Sequence, residues 1–328
     1  MSDTQNLTLV QAVRDGLYTE MQQDDDVMAL GQDIGKNGGV FRATQGLQAE
    51  FGEDRVVDTP LAESGIIGTA VGLAIDGMKP VPEIQFSGFM YPGFDQIVSH
   101  MARYRTRSRS RFTLPMVLRA PYGGGIRAPE HHSESKEAFY AHEAGLKVVV
   151  PSTPYDTKGL LTSAIRDPDP VVFLEPKLIY RAFREEVPEE SYEVPLGEAA
   201  TRREGSDVSV FTYGAMTRPT MEAAEDLAEE GIDAEVVDLR TISPLDIESI
   251  VESFKKTGRA VVVNEAPKSG GVAGEITSIL QERALLHQEA PVKRVTGFDV
   301  PVPLYAMEDY YLPNAARVAD GIRETVEF

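Results

Sequence analysis

The feature that most narrows the folds open to this chain is an alternation. Short apolar, often β-branched runs are followed by stretches of helical period, in one long series and then in a second. The first series places strands at residues 27–30, 55–57, 80–86, 114–119, 147–150 and 170–174, with helices at 7–22, 44–51, from Ser64, 94–107, from Lys136 and 157–166. The second places strands at 208–213, 235–239, 260–264 and 292–296, with helices at 218–230, 246–257, 274–286 and 315–326. Repeated strand–helix–strand units call for mostly parallel sheets covered by helices on both faces. From Arg184 to Asp207 the chain is charged and proline-containing, with Glu185, Glu186, Glu189 and Glu190, and reads as a surface linker carrying at most a short strand. The expectation is an α/β protein of two domains, residues 1–184 and 207–328, with a linker at 185–206. A chain of 328 residues is long enough to bury a core in each.

Within the first series one stretch concentrates chemistry, Val57-Asp58-Thr59-Pro60-Leu61-Ala62-Glu63-Ser64-Gly65-Ile66-Ile67-Gly68. Pro60 fixes a turn after a strand, and the helix that follows is apolar nearly all round, so it is expected to be buried. Gly65, Gly68 and Gly72 weaken that helix, which points to a close approach by another backbone or a ligand. Glu63 then stands at the mouth of a buried helix. Helix dipole and capping favour its ionised form, while burial would raise its pKa toward a value useful for proton exchange at neutral pH. The plainer alternative is a first-turn acid that only stabilises the helix end.

Other segments add candidates. Gly31-Gln32-Asp33-Ile34-Gly35-Lys36-Asn37-Gly38-Gly39 is a glycine-rich loop after a strand, where open α/β sheets place ligands, but it fits neither a dinucleotide fingerprint nor a phosphate loop. Glu83 and Gln85 are polar groups on an otherwise apolar strand and need partners. Phe86, Phe89, Met90, Tyr91 and Phe94 make an aromatic corner, a composition more typical of core or interface than of a cofactor platform. His131 and His132 precede a helix and could move protons near neutral pH, yet an adjacent pair without a third ligand makes a poor zinc site. Gly270, Gly271 and Glu275 mark a helix start in the second half, an anion or subunit contact in a domain otherwise suited to packing or assembly.

The charge balance excludes some partners. With 52 acidic and 32 basic residues the net charge is −20, which argues against nucleic acid or an anionic membrane surface. It suits a protein kept soluble in concentrated salt. Arg103, Arg105, Arg107, Arg109 and Arg111 form a local basic patch expected to meet nearby carboxylates or an acidic subunit. The chain has no cysteine, so disulfides, thiolate zinc sites and a thiol nucleophile are excluded. No apolar run reaches membrane-span length and the start lacks signal-peptide features, so a cytoplasmic location is expected.

Taken together, Gly38-Gly39-Val40-Phe41-Arg42-Ala43-Thr44, Asp58-Thr59-Pro60-Leu61-Ala62-Glu63, Glu83-Ile84-Gln85-Phe86, Phe94-Asp95-Gln96-Ile97, Val149-Val150-Pro151-Ser152-Thr153-Pro154, Val237-Asp238-Leu239-Arg240-Thr241 and Lys256-Thr257-Gly258-Arg259 resemble a known family. It is the beta subunit of the thiamine-diphosphate-dependent decarboxylase component of 2-oxo-acid dehydrogenase complexes, of the pyruvate or branched-chain type. The match runs through nearly the whole chain in order. It implies a transketolase-like pyrimidine-binding domain followed by a transketolase C-terminal-type domain. It also implies an alpha subunit that binds the cofactor diphosphate through magnesium, so that this chain holds half a site and works in an α2β2 assembly alongside a lipoyl acyltransferase core.

By resemblance Glu63 is the carboxylate bonded to the pyrimidine nitrogen N1′, whose protonation activates the cofactor toward a 2-oxo acid. Phe89 would stack on that ring, with Leu61 and Gln85 lining the same place. His132 matches the histidine of a His-Ser-Gln-Ser motif, read here as His132-Ser133-Glu134-Ser135, and would help pass the acyl fragment to a lipoyl group. Some relatives hold a potassium ion largely by backbone oxygens, which implies Met116, Ala164, Ile165, Asp167 and Asp169. An acetoin dehydrogenase beta subunit and a catalytically silent assembly subunit are the competing readings. A nicotinamide-binding oxidoreductase loses ground because no Gly-x-Gly-x-x-Gly is present.

Overall fold

The computed structural model describes residues 3–328. In chain order its strands are β1 (Thr4–Leu7), β2 (Val27–Gly31), β3 (Val56–Asp58), β4 (Lys79–Glu83), β5 (Val117–Tyr122), β6 (Lys147–Val149), β7 (Val171–Pro176), β8 (Glu185–Pro188), β9 (Ala200–Arg203), β10 (Val208–Thr212), β11 (Ala234–Asp238), β12 (Thr241–Ser243), β13 (Ala260–Pro267) and β14 (Lys293–Gly297). The first sheet has the order β12-β6-β7-β5-β4-β2-β3 and the second β14-β13-β10-β11-β9, while β1 and β8 form a separate antiparallel pair. Each large sheet is parallel except at one edge, where β12 and β9 run antiparallel to their neighbours.

Alternation of side chains explains why these strands are apolar throughout. Val171 and Phe173 enter one cluster of buried side chains, with Leu9, Val13, Leu17, Leu160 and Leu161 from the helices Leu9–Gln23 and Pro154–Arg166. Val172 and Leu174 enter the opposite cluster, with Ile66, Ile67 and Ala70 from the helix Glu63–Ile75. A strand covered on both faces has no polar side to show. Both clusters also draw on the second sheet, through Val208 and Val210 in one and Phe211 and Val262 in the other.

Prolines shape the middle of the first sheet. β4 pairs with β2 along its whole length but with β5 only where Glu83 lies against Arg119. Pro80 and Pro82 have no N–H to offer on that side, so pairing begins only beyond them, where Ile84 donates to the Arg119 carbonyl at 3.0 Å. The register sets Gly31 level with Asp58 on one side and Glu83 on the other, so the strand ends form a common edge.

Three expectations need correction. The helix expected over 94–107 is broken into a π-turn at Gln96–Met101 and a short α-turn at Tyr104–Arg107, after a 3₁₀ stretch at Ser87–Gly93 that contains Pro92. The amide of Ala102 reaches back five residues to Ile97, which lets Ile97 and Met101 both turn inward. The stretch read as linker carries two strands, because β8 pairs with β1 and β9 closes the second sheet. β12 had no counterpart in the reading. Thr241–Ser243 leaves the second series and adds an antiparallel edge to the first sheet beside β6, and a three-residue strand is too short to show periodicity.

Candidate functional site

Because β2, β3, β4, β5 and β7 run parallel, the segments that follow them collect along one edge. Glu63 follows β3, Gln85 and Phe89 follow β4, His132 follows β5 and Lys177 follows β7. Asp58 anchors the rim, its carboxylate accepting the amides of Gly35 at 2.7 Å and Lys36 at 3.1 Å. The glycine-rich loop is thereby held beside the turn that leads to Glu63. Gly39, with φ of +80°, passes so close to Glu83 that a Cβ there would sit 3.3 Å from its carboxylate.

Glu63 is the first residue of the helix Glu63–Ile75 and is half-buried. The preceding Leu61 is 70% exposed. The helix buries Ile66, Ile67, Ala70, Val71 and Ala74 but leaves Ser64, Gly65, Thr69 and Gly72 open, so the expectation of burial on every side is corrected. Small residues hide an exposed face, since glycine and serine carry too little polarity to mark it in the pattern. The helix rests on the segment that bears Phe89. A Cβ at Gly93 would lie 2.5 Å from Ile67 and 3.4 Å from the Glu63 carbonyl oxygen.

Phe89 and His132 meet directly. Their ring centroids are 5.0 Å apart and edge-on, and His132 lies 4.4 Å from Phe86 in the same manner. The Nδ1 of His132 is buried without a protein partner. Backbone contacts seat the loop, with the Glu134 carbonyl accepting from Ser87 Oγ at 2.8 Å and from the Gly123 amide at 2.9 Å. The acid at Glu134 pairs with Lys136 at 3.0 Å, an ion pair where an amide would make a neutral-acceptor bond. Gln85 lies just past β4 and reaches Gln32 and Asp33 of the glycine-rich loop through contacts of 3.4 Å.

The residues proposed for potassium lie elsewhere. Met116 precedes β5, and Ala164, Ile165, Asp167 and Asp169 lie at and just past the end of the helix Pro154–Arg166, at the opposite edge of the sheet. Asp167 pairs with Lys147, and Asp169 with Arg105. The Met116 carbonyl accepts the Val171 amide at 3.0 Å. Both carboxylates therefore already have cations, and backbone oxygens are the donors left for an ion. Among the described residues no group of three or more His, Asp or Glu side chains is arranged to hold a metal. Of the basic patch, Arg103 pairs with Glu143 at 2.9 Å and Arg105 with Asp169, as expected for nearby carboxylates.

Sequence reasoning missed the charged groups beneath the edge. Arg119, fully buried, donates to Glu175 at 2.6 Å and to Glu83 at 3.1 Å, and so supplies the partner that Glu83 needed. Burial pushes the Glu83 carboxyl up, and Arg119 opposes that rise. Lys177, Glu265 and Glu308 form a second buried group around Gly123, Gly124 and Gly125. Burial pushes Glu265 up to about 7 and pulls Lys177 down to about 7, against their mutual attraction. A lone lysine after a strand and two acids far along the chain leave no local signal. Gly270 and Gly271, singled out for an anion or subunit contact, line an open cavity of about 660 Å³ together with Ala138, His142 and Leu245.

Comparison with known proteins agrees with this architecture. Residues 5–182 match the family described as transketolase, pyrimidine binding domain, and residues 197–318 match transketolase, C-terminal domain. The pyruvate dehydrogenase E1 component subunit beta of Bacillus subtilis (strain 168) is 54% identical over 322 residues, covering 98% of this chain and 99% of that protein. The chain belongs to the family of pyruvate dehydrogenase E1 beta subunits. The E1 beta subunits of Staphylococcus aureus (strain N315) and Acholeplasma laidlawii are each 52% identical, over 98% and 97% of this chain and 99% and 97% of theirs. Among solved structures, a split gene transketolase, described as an inactive beta4 tetramer, superposes with a TM-score of 0.80 at 23% identity, over 98% of this chain and 99% of that one. That likeness bears on the fold. The expected pair of transketolase-type domains is thus present, in a chain of the E1 beta subunit family.

Proposed function

We propose that this E1 beta chain completes a thiamine diphosphate site with an alpha partner, and that the assembled enzyme decarboxylates pyruvate oxidatively and transfers the acyl group to a lipoyl group. The observation that carries the reading is that one carboxyl edge of a parallel sheet carries both a half-buried helix-start carboxylate, after β3, and an aromatic and imidazole cluster, after β4 and β5. These groups fit an aminopyrimidine ring. Glu63 offers a carboxylate for a ring nitrogen and Phe89 an aromatic face, with Leu61 and Gln85 assigned to the same place. When bound, thiamine diphosphate supplies the electron sink for decarboxylation. Glu63 then holds and returns a proton at N1′, while Phe89 orients the ring and keeps water from it. His132 is half-exposed and offers its imidazole to the acyl fragment or its acceptor during transfer.

Several finer assignments belong to the same proposal. Magnesium is assigned to the alpha partner together with the diphosphate, in an α2β2 assembly that serves a lipoyl acyltransferase core. A potassium ion, if one binds at Met116, Ala164 and Ile165, would rely on carbonyl oxygens. Exposed apolar side chains support an incomplete chain: Phe298, Val300, Leu304, Tyr305, Met307 and Tyr310 are each more than half exposed within one short segment. Acidic excess supports function in concentrated salt. The test is to co-express this chain with an E1 alpha subunit and assay pyruvate and branched-chain 2-oxo acids with thiamine diphosphate, magnesium and an artificial electron acceptor. Pyruvate turnover that requires both chains is expected. Turnover by the beta chain alone, or a stable pair that consumes no 2-oxo acid, would overturn the reading.

A further inference from the structure

The loop that carries His132 is held by the other half of the molecule. After β5 the chain passes through Gly123, Gly124 and Gly125 before reaching Arg127 and the histidines. Glu308 accepts the Gly125 amide at 2.8 Å with one carboxylate oxygen and the Arg127 amide at 2.7 Å with the other. Glu265 accepts the Gly124 amide at 2.9 Å. From beneath, Lys177 donates to the Gly123 carbonyl. Three of the four peptide groups between Gly123 and Arg127 are therefore fastened by charged side chains distant in sequence, although the three glycines would otherwise leave the segment free to wander.

The fit leaves little slack. Gly123 has φ of +83° and Gly125 φ of +92°, and a Cβ at Gly123 would lie 2.4 Å from a Glu265 carboxylate oxygen. His132 has no protein hydrogen bond at Nδ1 to set its orientation. Its place is set by the rings of Phe86 and Phe89 above and by the backbone that leads to it. Lys177 ties the two together, since its ammonium also lies 5.7 Å from the Phe86 ring centroid.

We propose that Glu265 and Glu308 are positioning residues for acyl transfer, clamping the glycine loop so that His132 is presented at the carboxyl edge of the first sheet. The proposal rests on the reading of His132 as the acyl-transfer histidine. The second domain thereby contributes to the reaction without touching substrate.

The experiment uses the assembled two-subunit enzyme with Glu308→Ala, Glu308→Gln, Glu265→Gln and, in parallel, His132→Ala. Two rates are measured, acylation of a free lipoyl domain and decarboxylation with an artificial electron acceptor, and tryptic cleavage after Arg127 reports loop mobility. Glu308→Ala should lower the ratio of acylation to decarboxylation by on the order of tenfold, as expected for a misplaced group, and should hasten cleavage. Glu308→Gln, which keeps one acceptor oxygen, should recover part of the ratio. If Glu308→Ala does not assemble, Glu265→Gln, which removes charge from one contact, decides by the same ratio. A His132→Ala enzyme that acylates normally removes the underlying reading and this proposal with it. A defective His132→Ala enzyme beside glutamate variants whose ratio is unchanged, because both rates hold or fall together, overturns the clamp alone.

Discussion

Two side chains of the first domain, Glu63 and Arg119, show how differently a charge can be used. Glu63 keeps part of its surface open at a helix start, as a group that must meet a ligand would. Glu63→Gln keeps shape and removes the exchangeable proton, so turnover of the assembled enzyme should fall roughly a hundredfold or more while folding is retained. Normal turnover with an unchanged melting curve would mean that Glu63 is only a helix-end acid. Arg119 is closed off entirely and bridges Glu83 and Glu175. Arg119→Leu would leave two carboxylates buried without their cation, at a cost of roughly 3–5 kcal/mol measured by denaturant unfolding. A loss within the range of a surface substitution would show that the acids take up protons and dispense with the arginine. Glu83 was legible as a polar group in need of a partner. Arg119 was not, because its partners lie on neighbouring strands that no local spacing connects.

Single elements were legible to the extent that they carried their own pattern. The βα series were readable because a buried parallel strand is apolar from end to end and the covering helices are amphipathic. The helix Glu63–Ile75 misled because its open face is made of glycine, serine and threonine, and the 94–107 segment misled because π geometry retains an apolar spacing. Asp246 precedes the helix Ile247–Thr257 and accepts the Ser249 amide at 3.1 Å and the Ala199 amide at 2.9 Å. Burial raises its carboxyl, but the bonds from Ala199 and Ser249 together hold it below its ordinary value of 3.8. A carboxyl whose pKa is depressed by folding contributes stability above its unfolded value and loses that contribution as pH falls beneath it. Asp246→Ala should therefore cost about 1–2 kcal/mol at neutral pH. The gap to the parent chain should close as unfolding is followed below pH 3.8, and a gap that widened there would contradict the assignment.

At the scale of the molecule the two sheets are not independent bodies. Both clusters of buried side chains draw on each sheet. Arg202 joins Asp238 at 2.7 Å and also meets Asp156, while Arg240 reaches Asp156 at 3.1 Å, so charged groups span the same junction. Calorimetry should show one transition, and with a net charge of −20 its midpoint should rise as salt screens self-repulsion. Two resolved transitions, or a midpoint indifferent to salt, would count against this picture. Composition had marked the stretch 185–206 as a seam. It could not show that the chain recrosses that seam, since Thr241–Ser243 leaves the second half to pair with β6 of the first. That crossing bears on anyone who would dissect the protein. A fragment ended at residue 184 to isolate the pyrimidine-binding half would lack its outermost strand, leaving β6 with unpaired peptide groups and a ready template for another chain. Such a fragment should come out of expression as aggregate, and a longer one that retains Thr241–Ser243 would have to carry most of the second sheet's core with it.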